Sequence, residues 1–445
     1  MGGDLVVALG RATVDGITLF GQNSDQPARQ CQVLRRTPGR AFAADEKVRT
    51  QFLELPQARQ TWTVLGGQPE GRWGYTHGVN EHGLAAGCAS LRGRLGCQRP
   101  GLLGTDLVRL ALERCQNARQ AVDLLTEWVE CHGQAALPGG PRAAEGDTAF
   151  LVADADAAFV VEAAANHWVC QEILEVRAVS DLYTVHQDWD GISRGLAGQA
   201  IACGWWPADG SKLDFADALG ECPVGLDSAL RRWGRATLLL EQQNGHIDAA
   251  FVRRLLGDHY ESTHFEVDPL ASLHGPVPLC RHARGPAGTA TAASIVTQLT
   301  RKPEQLPVAW CAFGPPCLSV YLPVFLDGDL PAAFGRGGPE PGARSLWWRV
   351  YRLGRRLHRR PEGCAVLRES LGRLQACFDQ EAREFAEEGA TLKQCGARAE
   401  LQRLASLYMT HSLEQFDRVL AAHETLTAGP GAGLTSNQGM VASHA

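Results

Sequence analysis

Cysteine and histidine are the side chains in this sequence with the most capacity for nucleophilic catalysis or metal binding. The sequence contains 14 cysteines, and no two of them form a C-x-x-C pair. Zinc sites usually show closely spaced ligand pairs, and disulfide frameworks are typical of much shorter secreted chains. We therefore expect free thiols that act as small buried hydrophobic residues, with no metal site and no cofactor.

A second group of polar residues could do chemistry near the N-terminus. Residues 5–9 are an apolar run, Asp15-Gly16 is a strong turn signal, and residues 17–20 are the expected return strand. Asn23 and Asp25 then follow at the end of this hairpin. They are either site residues that orient a terminal amine and a substrate, or simple turn formers, since Asn-Ser-Asp-x-Pro is also a good loop sequence.

The elements that position these residues can be read from periodicity. We predict a β-rich block over residues 61–86 and helices from residue 104, with Asn117 capping the second. Further strands are expected at 148–153, 157–162, 292–299, 308–313 and 318–322, and helices over 226–257. This pattern divides the chain into a mixed domain over 1–326, a Gly/Pro-rich linker over 327–346, a helical tail over 347–424 and a disordered end over 425–445.

Composition excludes several classes of function. Apolar residues make up 44% of the chain, charged residues 21%, and the net charge is −6. This mild acidity argues against a nucleic-acid or anionic-membrane surface. The longest uncharged run, 305–326, contains four prolines and so indicates buried strands rather than a membrane span. With no secretory signal pattern, we expect a cytoplasmic protein; the sequence leaves its oligomeric state open.

Three blocks resemble one known family in order along the chain. Residues 20–27 (FGQNSDQP) resemble the F-G-K-N-S-D-R-P signature of the secernins, and residues 78–84 (GVNEHGL) resemble G-x-N-E-H-G-V. Residues 103–114 (LGTDLVRLALER) resemble L-G-M-D-L-V-R-L-A-L-E-R almost letter for letter. The resemblance spans residues 4–326. It implies relationship to the secernins and dipeptidase A peptidases, which are cysteine N-terminal-nucleophile hydrolases.

That relationship carries expectations for fold and chemistry. The fold it implies is of the α+β class, a four-layer αββα sandwich, here with a C-terminal helical extension. In active members an N-terminal cysteine attacks an amide carbonyl of a peptide-like small molecule. Its own free α-amine acts as the base, since an α-amine has a pKa of ~8.

At the matched positions, however, this chain departs from the family. Gly3 stands at the position of the nucleophilic cysteine, Gln26 replaces an arginine, and Cys88 and Asp181 replace asparagines. Glycine has no nucleophile, and an ionised carboxylate would repel the oxyanion that an amide can stabilise. Asn23 and Asp25 match. The scaffold motifs persist while the chemical ones are lost, which indicates a catalytically degenerate member of a dipeptidase or amidohydrolase family.

Two other functions remain open, as does whether the chain is an enzyme at all. It could be an active dipeptidase or amidase, either because Gly3 is a sequence change or because Cys88 is a relocated nucleophile with His77, His82 or His186 as its base. Alternatively, the arginine-rich tail that follows residues 347–348 could make it a protein-interaction module without enzymatic activity.

Overall fold

The fold is built from two large antiparallel sheets. The computed structural model of the chain describes residues 2–96, 101–137, 146–220, 227–268, 275–283, 285, 288–302, 305–342, 344–359 and 363–427. The described residues form these strands: β1 (Gly2–Ala8), β2 (Thr18–Pro27), β3 (Gln32–Thr37), β4 (Lys47–Arg49), β5 (Glu54–Pro56), β6 (Val64–Pro69), β7 (His77–Asn80), β8 (Ala85–Ser90), β9 (Thr148–Ala153), β10 (Ala158–Ala164), β11 (His167–Ile173), β12 (Val176–Val179), β13 (Gly191–Ile192), β14 (Thr289–Leu299), β15 (Ala309–Phe313) and β16 (Leu322–Val324).

One sheet has six strands in the order β12-β1-β2-β14-β15-β16. The other has eight in the order β13-β11-β10-β9-β8-β7-β6-β3, and β4 and β5 pair separately. The two large sheets pack face to face where β1 and β2 meet β8. Strand β1 therefore has both faces covered, which explains why its residues 5–8 are an unbroken apolar run.

Helices cover both outer faces of the sheet pair. They are α1 (Gly104–Arg114), α2 (Ala118–His132), α3 (Leu196–Ala202), α4 (Phe215–Leu219), α5 (Asp227–Gln242), α6 (Ala249–Leu256), α7 (Leu346–Leu357), α8 (Gly363–Gln394) and α9 (Arg398–Thr427). Helices α1 and α2 pack on the eight-stranded sheet, and α5 and α6 pack on the six-stranded sheet. The predicted four-layer αββα sandwich is thus confirmed.

Helix boundaries follow local capping chemistry. The Asn117 side chain accepts a hydrogen bond from the backbone N–H of Gln120 at 3.0 Å and begins α2 as predicted. Asp248 and Ser345 cap α6 and α7 in the same way. Each cap satisfies a backbone donor that the helix itself leaves unpaired.

One predicted strand is displaced along the chain. Residues 318–322 were expected to be extended, but Pro316–Leu318 form a 3-10 turn and β16 begins only at Leu322. The chain reverses at Gly314, whose φ is 85°. Two prolines follow, and neither can donate to a sheet ladder.

The C-terminal helices pack on the edge of the six-stranded sheet, with α7 on β15 and both α8 and α9 on β16. The rings of Phe325 and Phe385 lie 4.8 Å apart, and Phe378 is buried in the same core as the sandwich. The tail therefore shares one hydrophobic core with the sheets. Most of the end over 425–445, expected to be disordered, lies outside the described residues. Within the described part, no helix combines the length and apolarity that a membrane span requires.

Candidate functional site

The first residues of β1 lie in the six-stranded sheet, where β1 stands between the edge strand β12 and β2. Gly3 pairs with Ser24 in the antiparallel register, and its backbone N–H donates to Asp181 Oδ1 at 2.8 Å. A Cβ atom added at Gly3 would lie 2.5 Å from the backbone oxygen of Asn23. The close approach of β2 therefore explains a glycine here, at the position where the sequence resemblance expects a cysteine.

A buried ion network surrounds this strand end. Arg232, from α5, is 1% exposed; its Nε donates to both carboxylate oxygens of Asp4, at 3.0 and 3.1 Å. Its Nη2 donates to Asp181 Oδ2 at 2.7 Å and to Ser180 Oγ at 3.2 Å. The arginine thus ties the helix layer to two neighbouring strands.

A second arginine completes the network from the other side. Arg281 Nη1 lies 3.3 Å from Asp25 Oδ2 and 3.5 Å from Asp181 Oδ2. The Thr291 hydroxyl donates to the other oxygen of Asp25 at 2.8 Å. Gln26, which replaces an arginine of the family, removes one fixed positive charge from the pocket. Arg232 and Arg281 bring that charge from other parts of the chain.

Three carboxylates therefore face two guanidinium groups. Burial raises the pKa of Asp4 to about 6; Arg232 opposes this shift, and the neighbouring carboxylates add to it. Burial likewise raises the pKa of Asp25. Burial alone would lower the pKa of Arg232, but the attraction of Asp4 and Asp181 raises it. The network carries one more negative than positive charge when fully ionised, and burial favours protonation of both Asp4 and Asp25.

The predicted site residues fall into separate environments. Asp25 and Asp181 belong to the ion network beside Gly3. Asn23 lies on the same face of β2 as Asp25, but its amide donates to the backbone oxygens of Leu256 and Leu279 at 2.8 and 2.9 Å. Asn23 therefore anchors the end of α6 and the segment before β14.

Cys88 lies on β8 of the eight-stranded sheet. It lines a small cavity of about 30 Å³ together with Gly2, Gln26 and Thr76. Burial raises the pKa of Cys88 to about 12. Its thiol is therefore protonated at neutral pH.

The three histidines considered as bases have other partners. Burial lowers the pKa of His77 to about 3. The ring of His82 packs edge-on against Trp62 at 4.4 Å, and His186 pairs with Asp214 at 3.0 Å. No hydrogen bond within the described residues joins Cys88 to any of them.

The structure also gathers side chains that the sequence analysis did not connect. His259, Cys280, His282 and Cys317 bring their ligand atoms within 4.8 Å of one another, a grouping that the sequence analysis, which expected no metal site, did not identify. The only local signal was Cys280-Arg281-His282, a spacing that places two ligands on one side of an extended segment. The other two ligands come from distant positions.

Comparisons with known proteins give one matching family model and several similar solved structures. Residues 45–185 match the model of the acyl-coenzyme A:6-aminopenicillanic acid acyl-transferase family. Among solved structures, the chain is similar to a conjugated bile acid hydrolase from Clostridium perfringens, with 14% identity, coverage of 70% of this chain and 89% of the other, and a TM-score of 0.41. It is also similar to a penicillin V acylase from Agrobacterium tumefaciens, with 15% identity, coverage of 72% and 86%, and a TM-score of 0.40. Likenesses at such low identities and TM-scores support no conclusion about activity.

Proposed function

We propose that this chain is a secernin-like, catalytically degenerate relative of N-terminal-nucleophile dipeptidases and amidohydrolases. One observation carries the proposal. The strand end where the reaction needs a thiol consists of Gly2 and Gly3, and the N–H of Gly3 is bound by Asp181. Hydrolysis by this route requires a nucleophile and an adjacent base, and neither glycine supplies one.

The neighbouring residues do not replace the lost thiol. The pKa of Cys88 is raised to about 12. At pH 7 its thiol is therefore ionised in only about one molecule in 10⁵. Asp181 projects a carboxylate where an oxyanion would need a donor, although two arginines pair with it. These features favour the inactive interpretation over an enzyme that uses Cys88.

A ligand-binding role is compatible with the degenerate site. A cavity of about 280 Å³ lies beside the end of β2, between Pro27, His282 and the rings of Trp347 and Tyr351. Its walls are mainly apolar, and Arg355 lies at its edge. We infer that a peptide-like small molecule binds there, with its apolar side chain against the aromatic rings and its carboxylate toward the arginine.

We also infer a cytoplasmic location. The 12 described cysteines are all free. Free thiols persist in reducing compartments, whereas secreted proteins usually oxidise them to disulfides.

The proposal is tested by hydrolysis of a panel of dipeptides and N-acyl amides. The parent chain is compared with Gly3→Cys, expressed so that the two preceding residues are removed, and with Cys88→Ser. We expect no turnover by the parent. Turnover by the parent would overturn the proposal, and its loss in Cys88→Ser would identify that thiol as the nucleophile.

The Gly3→Cys variant asks a separate question about the pocket. Activity in this variant alone would mean that the pocket is intact and lacks only its nucleophile. The Cβ atom of the new cysteine would lie too close to the backbone oxygen of Asn23. The folding of this variant must therefore be checked by circular dichroism and a melting curve alongside the assay. Binding of the same dipeptides to the parent, measured by calorimetry, tests the inferred ligand without any need for turnover.

A further inference from the structure

Four metal-ligand side chains converge at one point behind the ion network. They are His259, Cys280, His282 and Cys317, and their ligand atoms all lie within 4.8 Å of one another. We propose that they bind one zinc ion in a closed, structural site. Two thiolates and two neutral imidazoles are a common ligand set for structural zinc, and their charges balance those of the ion.

The distances among the ligand atoms agree with a tetrahedron around zinc. Bonds of ~2.0–2.1 Å to nitrogen and ~2.3 Å to sulfur place two nitrogens ~3.3 Å apart, and a nitrogen and a sulfur ~3.6 Å apart. The Nε2 atoms of His259 and His282 are 3.4 Å apart. His282 Nε2 lies 3.6 Å from the sulfur of Cys280 and 3.2 Å from that of Cys317. A tetrahedron whose edges have these lengths leaves room for one zinc ion at its centre.

The histidine tautomer also suits a metal. His259 Nδ1 lies 3.2 Å from the carboxylate of Glu261, so that nitrogen carries the proton. When the ring is neutral with its proton on Nδ1, Nε2, which faces the other ligands, has its lone pair available for a metal ion. Carboxylate–histidine pairs of this kind orient imidazoles in many zinc sites.

The cluster is held by rigid, buried backbone. His259 follows α6, and its carbonyl accepts from the N–H of Val267 at 3.0 Å. Cys280 is fully buried, and its backbone N–H donates to the backbone oxygen of Asp258 at 3.2 Å. Cys317 lies in the 3-10 turn between β15 and β16. An ion here would join three chain segments that are remote in sequence, as structural zinc does in small domains.

Arg281 connects the site to the N-terminal ion network. Arg281 stands between the ligands Cys280 and His282 on an extended segment, so its side chain points away from them. That side chain contacts Asp25 and Asp181. Zinc would thus fix the position of the arginine that neutralises these two carboxylates.

The primary test uses the full-length parent chain. The chain is purified in the presence of a phosphine reductant and dialysed with zinc. Inductively coupled plasma mass spectrometry should then find about one tightly bound zinc ion per chain. Cobalt substitution should give the visible absorption of a tetrahedral site with thiolate ligands. The proposal would be overturned by a parent chain that retains no zinc. It would also be overturned if Cys280 and Cys317 formed a disulfide even though the preparation had just been reduced.

Variants locate the metal within the chain. Cys317→Ser should lose the bound zinc. Cys311→Ala should keep it, because Cys311 is a buried cysteine of β15 outside the cluster. If Cys317→Ser does not fold, chemical modification of the parent decides instead. Zinc should then be released as Cys280 and Cys317 are modified, with the modified residues identified by peptide mapping. Zinc release that follows the modification of other cysteines instead would refute the assignment.

Discussion

The charge imbalance in the N-terminal network leads to a prediction about pH. Asp4 is buried beside two other carboxylates. Because its pKa in the folded chain is about 6 against an ordinary value of 3.8, the folded state binds a proton there more tightly than the unfolded state does. The contribution of Asp4 to stability is therefore complete below about pH 4 and is lost as the pH rises through 6. Asp4→Asn removes this titration while keeping the size of the side chain.

The magnitude follows from the shift in pKa. A shift of about two pKa units corresponds to about 3 kcal/mol between the two protonation states. The free energy of unfolding of the parent should therefore fall relative to Asp4→Asn by up to about 3 kcal/mol between pH 4 and pH 7. Titrating groups outside the network affect both proteins alike, so the difference between them reports the titration of Asp4 together with the carboxylates coupled to it.

Urea unfolding followed by tryptophan fluorescence measures this difference. Urea is preferred because guanidinium salts would screen the charges. Asp209→Asn is the matched control. Asp209 is exposed, and hydrogen bonds from Ser211 lower its pKa, so the parent should not lose stability relative to this variant as the pH rises. A parent–Asp4→Asn difference that is flat from pH 4 to 7, or that runs in the opposite direction, would refute the reasoning.

Further predictions concern the same strand, the tail and the free thiols. Arg232→Met should cost about 3–5 kcal/mol at pH 7.5, because it leaves buried carboxylates unpaired, and less at pH 5; a cost below 1 kcal/mol in urea unfolding would contradict the network. Gly3→Ala should cost about 1–3 kcal/mol from overpacking against the backbone of Asn23, and an unchanged melting temperature would count against the close approach of the two strands. Phe378→Ala should cost about 3–5 kcal/mol as a core truncation; a small effect would mean that the tail does not share the sandwich core. Cys88 should react with iodoacetamide at pH 7.5 much more slowly than the exposed cysteines do, as measured by peptide mapping, and equal rates would show an ionised thiol.

Local patterns were sufficient for most of the secondary structure. The strand over residues 148–153 has its predicted bounds, and the cap at Asn117 begins α2. These features depend on hydrophobic periodicity and on capping side chains, which are properties of neighbouring residues. The strand expected at residues 318–322 was displaced because Gly314 and the prolines after it turn the chain before it can pair.

The candidate site was predicted only in part. Asp25 and Asp181 were identified through the resemblance to the secernins, and both lie beside Gly3. Asn23 was identified in the same way, yet its side chain binds backbone carbonyls of other segments. A polar residue at such a position can either line a site or bind the backbone of another segment, because the direction and partners of its side chain depend on what packs against the strand.

The sequence by itself determined the class of the fold, its order of elements and the presence at position 3 of glycine, which has no side chain that could act as a nucleophile. These follow from patterns and residue types that no tertiary contact can alter. Only the tertiary structure decided that Arg232 and Arg281 meet three carboxylates, and that His259, Cys280, His282 and Cys317 converge on one point. The partners come from segments far apart in the chain. Their proximity results from how sheets and helices pack, and no local spacing rule encodes it.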